Sequence, residues 1–366
     1  MRKVSVYKHF NDLPASYRQV FEDASHSSGF FFSFHWFNHL IASSFDKNIS
    51  LRIYGVEGST DQTKPSLALA MYFHVPSIKF ISPQKLLPVA NYYTSLFGPV
   101  TVAYSKSLEE DLTLLIQMIV TERPRWDMVD FHPLDKSSPS FTLLKNIFQK
   151  QGMAVQTYFC FGNWYLDVNG KSFKEYFETL PARLKKTISR KTKKMNDSIE
   201  WEIKIVSTST ELAKYIAIFE AIYNSSWKNP EPYPDFIPGL IRICAEQGWL
   251  RLGIAYIDSK PAAAQIWIVH NGVASIYKLA YIDKYSQYSI GTILTARLME
   301  HVIDTDKARE VDYLTGDDEY KKDWMSHRRE RWGLIAFNLR TPTGILAAIK
   351  HLGGNILKRT LKLNNN

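Results

Sequence analysis

Three clusters in this chain have residue types and spacing that could do chemistry. Ser289, Gly291 and Thr292 sit where a strand-like run gives way to one of helical period, with Gln287 and Ile290 in the same turn. A helix starting there points its free N–H groups and dipole outward and makes an anion-binding site. A second cluster, Asp317-Asp318-Glu319, could neutralise or deprotonate an amine, and Asp283, just past a strand, is an alternative base. The third is RLKKTISRKTKK, residues 183–194, with seven Lys/Arg and no acid. There Arg183, Lys185, Lys186, Arg190 and Lys191 are the candidates to meet phosphate. Like charges at that density repel, a cost that an anionic partner would offset.

Each cluster also has a plainer reading. Ser and Thr favour helix N-caps, adjacent acids suit a helix start, and charge runs usually face water. The order of elements tips the first cluster toward an anion site.

Residues 249–339 read as hairpin, strand, Gly-opened helix, strand, acidic loop, short helix, strand. WLRLGIAYI and PAAAQIWIV are separated by Asp258-Ser259-Lys260, and VASIYKLAY follows His270-Asn271-Gly272. Ile293, Leu294, Leu298 and Val302 then recur at helical spacing. Upstream, SLRIYGVEG, SLALAMYFHV, WDMVDFHPL and VQTYFCFGNWYLDV are strand-like, whereas LEEDLTLLIQMIVTE and SFTLLKNIFQKQG read as helices. From Ser172 to Met195 the pattern is helical, with Pro181 marking a break or a fresh start. The sum is a mixed α/β, or α+β, chain whose halves share a rough order of elements. The domain boundary falls near residues 165–172.

The 366 residues are 45% hydrophobic and 14% aromatic, enough for one or two cores. Cys160 and Cys244 are far apart, which excludes a disulfide framework and suits a reduced, cytoplasmic setting. No apolar run is long enough for a membrane span, and the basic N-terminus lacks the core of a signal peptide. The expectation is a protein that is soluble, or at most peripheral at a membrane surface. The net charge of +9 is local: residues 183–194 and 341–366 together hold eleven Lys/Arg and no acid, so the remainder is near neutral. His132, His270 and His301 show no triad or metal spacing, and HRRER at 327–331 reads as a solvated face. There is no GxxxxGK[ST] loop and no dinucleotide fingerprint.

Two paired motifs carry a resemblance. Tyr285, Tyr288, Ser289, Ile290 and Gly291 precede the helix, and Asp312, Gly316, Tyr320, Lys321 and Trp324 follow the next strand. They resemble the Y-x-x-Y-S-P-G and D-x-x-x-G-x-x-x-Y-K-x-x-W motifs of the CelD/BcsL-like acetyltransferases, with Ile290 replacing the usual proline. That group has the acyl-CoA N-acyltransferase (GNAT) fold and is similar to the Fem-type aminoacyltransferases, which carry two GNAT-like halves. The resemblance implies a degenerate GNAT-like domain at 1–168 and a GNAT acyltransferase domain at 169–366. It implies acetyl-CoA or another acyl-CoA as co-substrate and no metal, with aminoacyl-tRNA or a carrier-protein thioester as the alternative donor. It further implies an amine or hydroxyl acceptor, such as a saccharide of the cell envelope or an exopolysaccharide. Tyr320 becomes the general acid for the departing thiolate, Lys321 a stabiliser of the reacting carbonyl, and Asp317 or Asp283 the base. Of the GNAT pyrophosphate motif (Arg/Gln)-x-x-Gly-x-Gly, the segment Ser286–Gly291 keeps only the last glycine. The basic helix would meet a phosphate-bearing partner, whether nucleotide-sugar, anionic lipid or tRNA. A GNAT-like module that binds anions without catalysis is the third reading.

Overall fold

The computed structural model describes residues 2–57, 65–75, 83–101 and 106–351. The segment 352–366, which carries most of the C-terminal basic stretch, lies outside the described residues.

The chain divides into two compact units, residues 1–161 with 330–366 and residues 162–329. In the first unit the strands are β1 (Val4–Tyr7), β2 (Ile49–Glu57), β3 (Pro65–His74), β4 (Lys85–Pro88) and β5 (Met128–Asp135). A last strand (His327–Asn338) returns late in the chain and pairs antiparallel with β5 through residues 331–337. Strands β1 to β4 are antiparallel neighbours, and β4 and β5 run parallel. Helices α1 (Tyr17–Ser28), α2 (Phe34–Ser44), α3 (Leu108–Thr121) and α4 (Pro139–Lys150) belong to this unit. Aromatic rings join the first two: Phe21 stands edge-on to Phe10, Phe34 and Phe37, and Phe10 lies tilted against Phe34. Helix α3 follows its amphipathic pattern, with Leu112, Leu115, Ile116 and Ile119 fully buried.

The strand β6 (Met153–Asp167) carries the chain into the second unit. There α5 (Phe173–Thr179) and α6 (Ala182–Ser198) follow, separated at Pro181 as its missing N–H requires. Next come β7 (Trp201–Val206), α7 (Leu212–Asn224), α8 (Phe236–Glu246), β8 (Leu250–Ile257), β9 (Lys260–His270) and β10 (Val273–Tyr281). Helix α9 (Ile290–Glu300), β11 (Glu310–Asp312) and the His327–Asn338 strand, β12, complete the order. Strands β7 to β10 form an antiparallel meander, and β11 joins β10 in parallel after the α9 crossover. The turns at Asp258-Ser259 and Asn271-Gly272 have positive φ at both positions, the geometry a two-residue hairpin needs. The core packs α9, through Ile290, Leu294, Leu298 and Met299, against Ala255, Ala263 and Trp267.

The grouping of 330–366 with the first unit departs from a single cut near residue 168. Residues 331–337 owe their place to long-range pairing with β5, which local pattern does not encode.

Candidate functional site

After β10 the chain turns through a short 3-10 helix, Asp283–Tyr288, and reaches Ser289 at φ 54°, ψ 38°. A serine in the left-handed region costs about 1–2 kcal/mol. Its side chain makes no capping hydrogen bond. The ordinary N-cap reading of Ser289 is therefore replaced: the hydroxyl does not satisfy the first turn. The N–H groups of Ile290, Gly291 and Thr292 precede the first helical bond, which runs from Ile293 N–H to the Ser289 carbonyl. Ile290 is fully buried beneath this turn. A Cβ on Gly291 would lie 3.2 Å from Tyr281 Cδ1, so this position holds a close approach between helix and ring.

Gln265, buried in the middle of β9, anchors the turn. Its amide nitrogen donates to the Gly291 carbonyl at 3.0 Å and to Thr295 Oγ1 at 2.8 Å, and its oxygen accepts from the Trp267 indole at 2.9 Å. Sequence reasoning passed over Gln265. Its signal was a single amide inside the apolar run PAAAQIWIV.

The second motif lies on the loop after β11. Asp312 is a builder of that loop: Oδ1 accepts from Leu314 N–H at 2.6 Å and Asn163 Nδ2 at 2.5 Å, and Oδ2 pairs with Arg329 at 2.5 Å. Leu314 and Gly316 both have positive φ, at 54° and 103°. Gly316 leaves room for Lys321 Nζ, which would stand 3.1 Å from a Cβ there.

Lys321 is 4% exposed, so it is not solvated. Its ammonium donates to the Thr315 carbonyl at 2.6 Å and the Gly316 carbonyl at 3.2 Å, and pairs with Asp318 Oδ2 at 3.1 Å. Burial lowers its pKa against the opposing pull of Asp318. With its three donors committed, Lys321 clamps the loop. Asp317 is exposed and holds a two-point pair with Arg328, 2.6 Å at the shorter contact, plus the Trp164 indole at 2.8 Å. Those bonds, Arg328 first, push its pKa down, which disfavours proton uptake. HRRER is a solvated face only in part: His327 and Arg328 are exposed, whereas Arg329 pairs with Glu310 and Arg331 is buried beside Asp135.

Tyr320 is 47% exposed, its ring edge-on to Tyr313 with centroids 5.8 Å apart. Partial burial, with the Asp318 carboxylate second, pushes its hydroxyl up to about 12, so it stays protonated near neutrality. Tyr313 in turn is buried in the same apolar cluster as Ile290, Leu294 and Leu298 of α9, and its ring lies 5.7 Å beneath Lys321 Nζ. Tyr313, packed in the α9 cluster on one side and against the Tyr320 ring on the other, thus ties the two motifs together. Asp283 is exposed at the start of the 3-10 helix.

The basic helix α6 packs by Ile188 and Met195. Lys191 Nζ donates to the Gln287 carbonyl at 2.5 Å and Lys194 lies 5.6 Å over Tyr288, so two of its cations lean on the turn before α9. Lys185 pairs with Glu178 at 3.0 Å, whereas Arg183, Lys186 and Arg190 are exposed. Among the described residues no His/Cys/Asp/Glu cluster could hold a metal ion, and no helix is long and apolar enough to cross a membrane.

Residues 182–322 match the family described as an acetyltransferase (GNAT) domain, and this segment has that superfamily's fold. No curated protein matches the chain. Over its length the chain is similar to the crystal structure of FemX, with 10% identity, a TM-score of 0.63 and coverage of 94% of this chain and 99% of that one. A conserved protein of unknown function from Bacteroides thetaiotaomicron aligns at 7% identity and TM-score 0.51, covering 92% and 100%. A tandem GNAT protein from the clavulanic acid biosynthesis pathway aligns at 9% identity and TM-score 0.47, covering 91% and 98%. At such identities the solved structures speak to fold alone.

Proposed function

We propose that the acetyltransferase (GNAT) domain of this chain moves an acyl group from a thioester donor, acyl-CoA in the first instance, to an amine or hydroxyl acceptor. The observation that carries this reading is the uncapped first turn of α9, joined through the buried Tyr313 to Tyr320, whose hydroxyl stays protonated. The amides of Ile290, Gly291 and Thr292 would receive the donor's phosphate, with Lys191 and Lys194 adding charge from α6. The acceptor attacks the thioester carbonyl, the C–S bond breaks, and Tyr320 gives its proton to the leaving thiolate. The acceptor's proton passes to Asp283 or to solvent. Asp317 and Lys321 hold the loop that presents Tyr320.

Acetyl-CoA titration with thioester hydrolysis as readout tests the donor. Tight binding and slow hydrolysis are expected, and their joint absence would remove acyl-CoA. The exposed cations Lys186 and Arg190 of α6, with the motif group's similarity to Fem-type transferases, support a second donor, aminoacyl-tRNA, with α6 against the RNA. In that case tRNA binding weakens steeply with salt, and neutralising Lys186 and Arg190 flattens the slope. An acceptor in envelope or exopolysaccharide synthesis suits either donor.

A further inference from the structure

A group of charges in the second unit has no role in the steps above. Lys278 of β10 forms a buried ion pair with Glu231, 2.7 Å, with both side chains about one-tenth exposed. Lys228, in the link between α7 and α8, lies half-buried near that pair. Among the described residues its ammonium meets no carboxylate within 4 Å, and its near neighbour is the Trp227 ring, 5.6 Å from Nζ. The charges it feels are those of Lys278, Glu231, Asp318 and Lys321. Glu231 is taken by Lys278 and Asp318 by Lys321, which leaves Lys228 as an excess cation. Burial first and Lys278 second depress its pKa, against the opposing pull of Glu231 and Asp318.

Trp227 supplies the second, independent observation. This large ring is 51% exposed, yet it is held in place by Tyr281, centroids 4.4 Å apart. Tyr281 is the same ring that lies against Gly291 in the first turn of α9. A half-exposed indole beside a half-buried ammonium with no carboxylate within 4 Å among the described residues therefore adjoins the proposed donor turn.

We propose that Trp227 and Lys228 form the acceptor subsite, and that the acceptor is an anionic sugar whose ring lies on the indole while its carboxylate or phosphate pairs with Lys228. The inference rests on the transferase reading and names the acceptor class for that same site. An indole offers a flat apolar platform to the C–H face of a sugar ring. A half-buried lysine gains more from an anion than an exposed one does, because solvent screens the pair less. A neutral sugar would leave the cation unpaired.

Binding is measured by tryptophan fluorescence on the full chain with glucuronic acid, glucose 6-phosphate and glucose as probes. Saturable quenching by at least one anion, and none by glucose at the same concentration, is expected. The two anions tell a carboxylate from a phosphate requirement. Lys228→Gln should weaken the anion at least about tenfold, the scale of one lost charge-assisted hydrogen bond, and Lys228→Arg should restore most of it. Trp227→Phe should abolish the quench. Equal binding of glucose, no binding of either anion, or an unchanged Lys228→Gln variant would each overturn the subsite. Thioester hydrolysis by the unaltered protein is followed in parallel. Anion binding with neither acetyl-CoA binding nor hydrolysis removes acyl-CoA as donor and leaves the subsite standing, whereas hydrolysis without anion binding removes only this inference.

Discussion

At the scale of single residues, Tyr320 and Asp317 part ways although three positions separate them. Tyr320 has an open hydroxyl that stays protonated until pH approaches about 12. Replacing it with Phe should lower kcat by about a hundredfold, the lower end for a lost general acid, with donor affinity unchanged. Because the group titrates so high, Tyr320 should add no falling limb to the rate between about pH 6 and 9. An unchanged kcat in Tyr320→Phe would remove it as the acid. Asp317 has its carboxylate spoken for by Arg328 and Trp164. Its folded-state pKa is lowered, so its stabilising contribution is complete above the unfolded value and is lost as pH falls through the folded one. Partly exposed, the pair is worth less than about 1 kcal/mol. Asp317→Asn should therefore lower Tm slightly at neutral pH and not at pH about 2, a difference that thermal melts at both values would resolve.

At the scale of elements, the first turn of α9 depends on β9 behind it. Gln265 ties the Gly291 carbonyl and Thr295 to the sheet, so the amides of that turn are fixed before any ligand arrives. Gln265→Leu would strand the Trp267 indole N–H and cost about 1–3 kcal/mol. Urea unfolding measures that loss, and an unchanged midpoint would show that α9 is held by apolar packing alone. The loop after β11 is fixed in the same manner, by Asn163, Arg328 and Arg329 brought from β6 and β12. Hairpins, helices and the Pro181 break were legible, because periodicity and turn chemistry are local properties. Helix α2 was not singled out, since its crowded Phe and Trp residues obscure a polar face. Gln265, Arg328 and Arg329 were illegible as site builders because their partners lie 11 to 166 residues away.

At the scale of the molecule, residues 330–338 return to the first unit, where Leu334, Ala336 and Phe337 are fully buried. Ending the chain at Arg329 should therefore strip β5 of a neighbour and abolish cooperative unfolding of the first unit. Calorimetry of the truncated chain that retained every transition of the full one would contradict this. The sequence by itself determined the element order from residue 249 to 339, the motif residues Gly291 and Tyr320, and the local concentration of charge at 183–194. Those depend on neighbours within a few positions, where side-chain period and backbone preference act directly. Only the tertiary structure decided that Lys321 is buried and committed to its own loop, that Asp317 is held by an arginine, and that Lys228 is half-buried beside the Trp227 ring. Burial and charge pairing are sums over groups far apart in the chain, and they take values only once the sheet has brought those groups together.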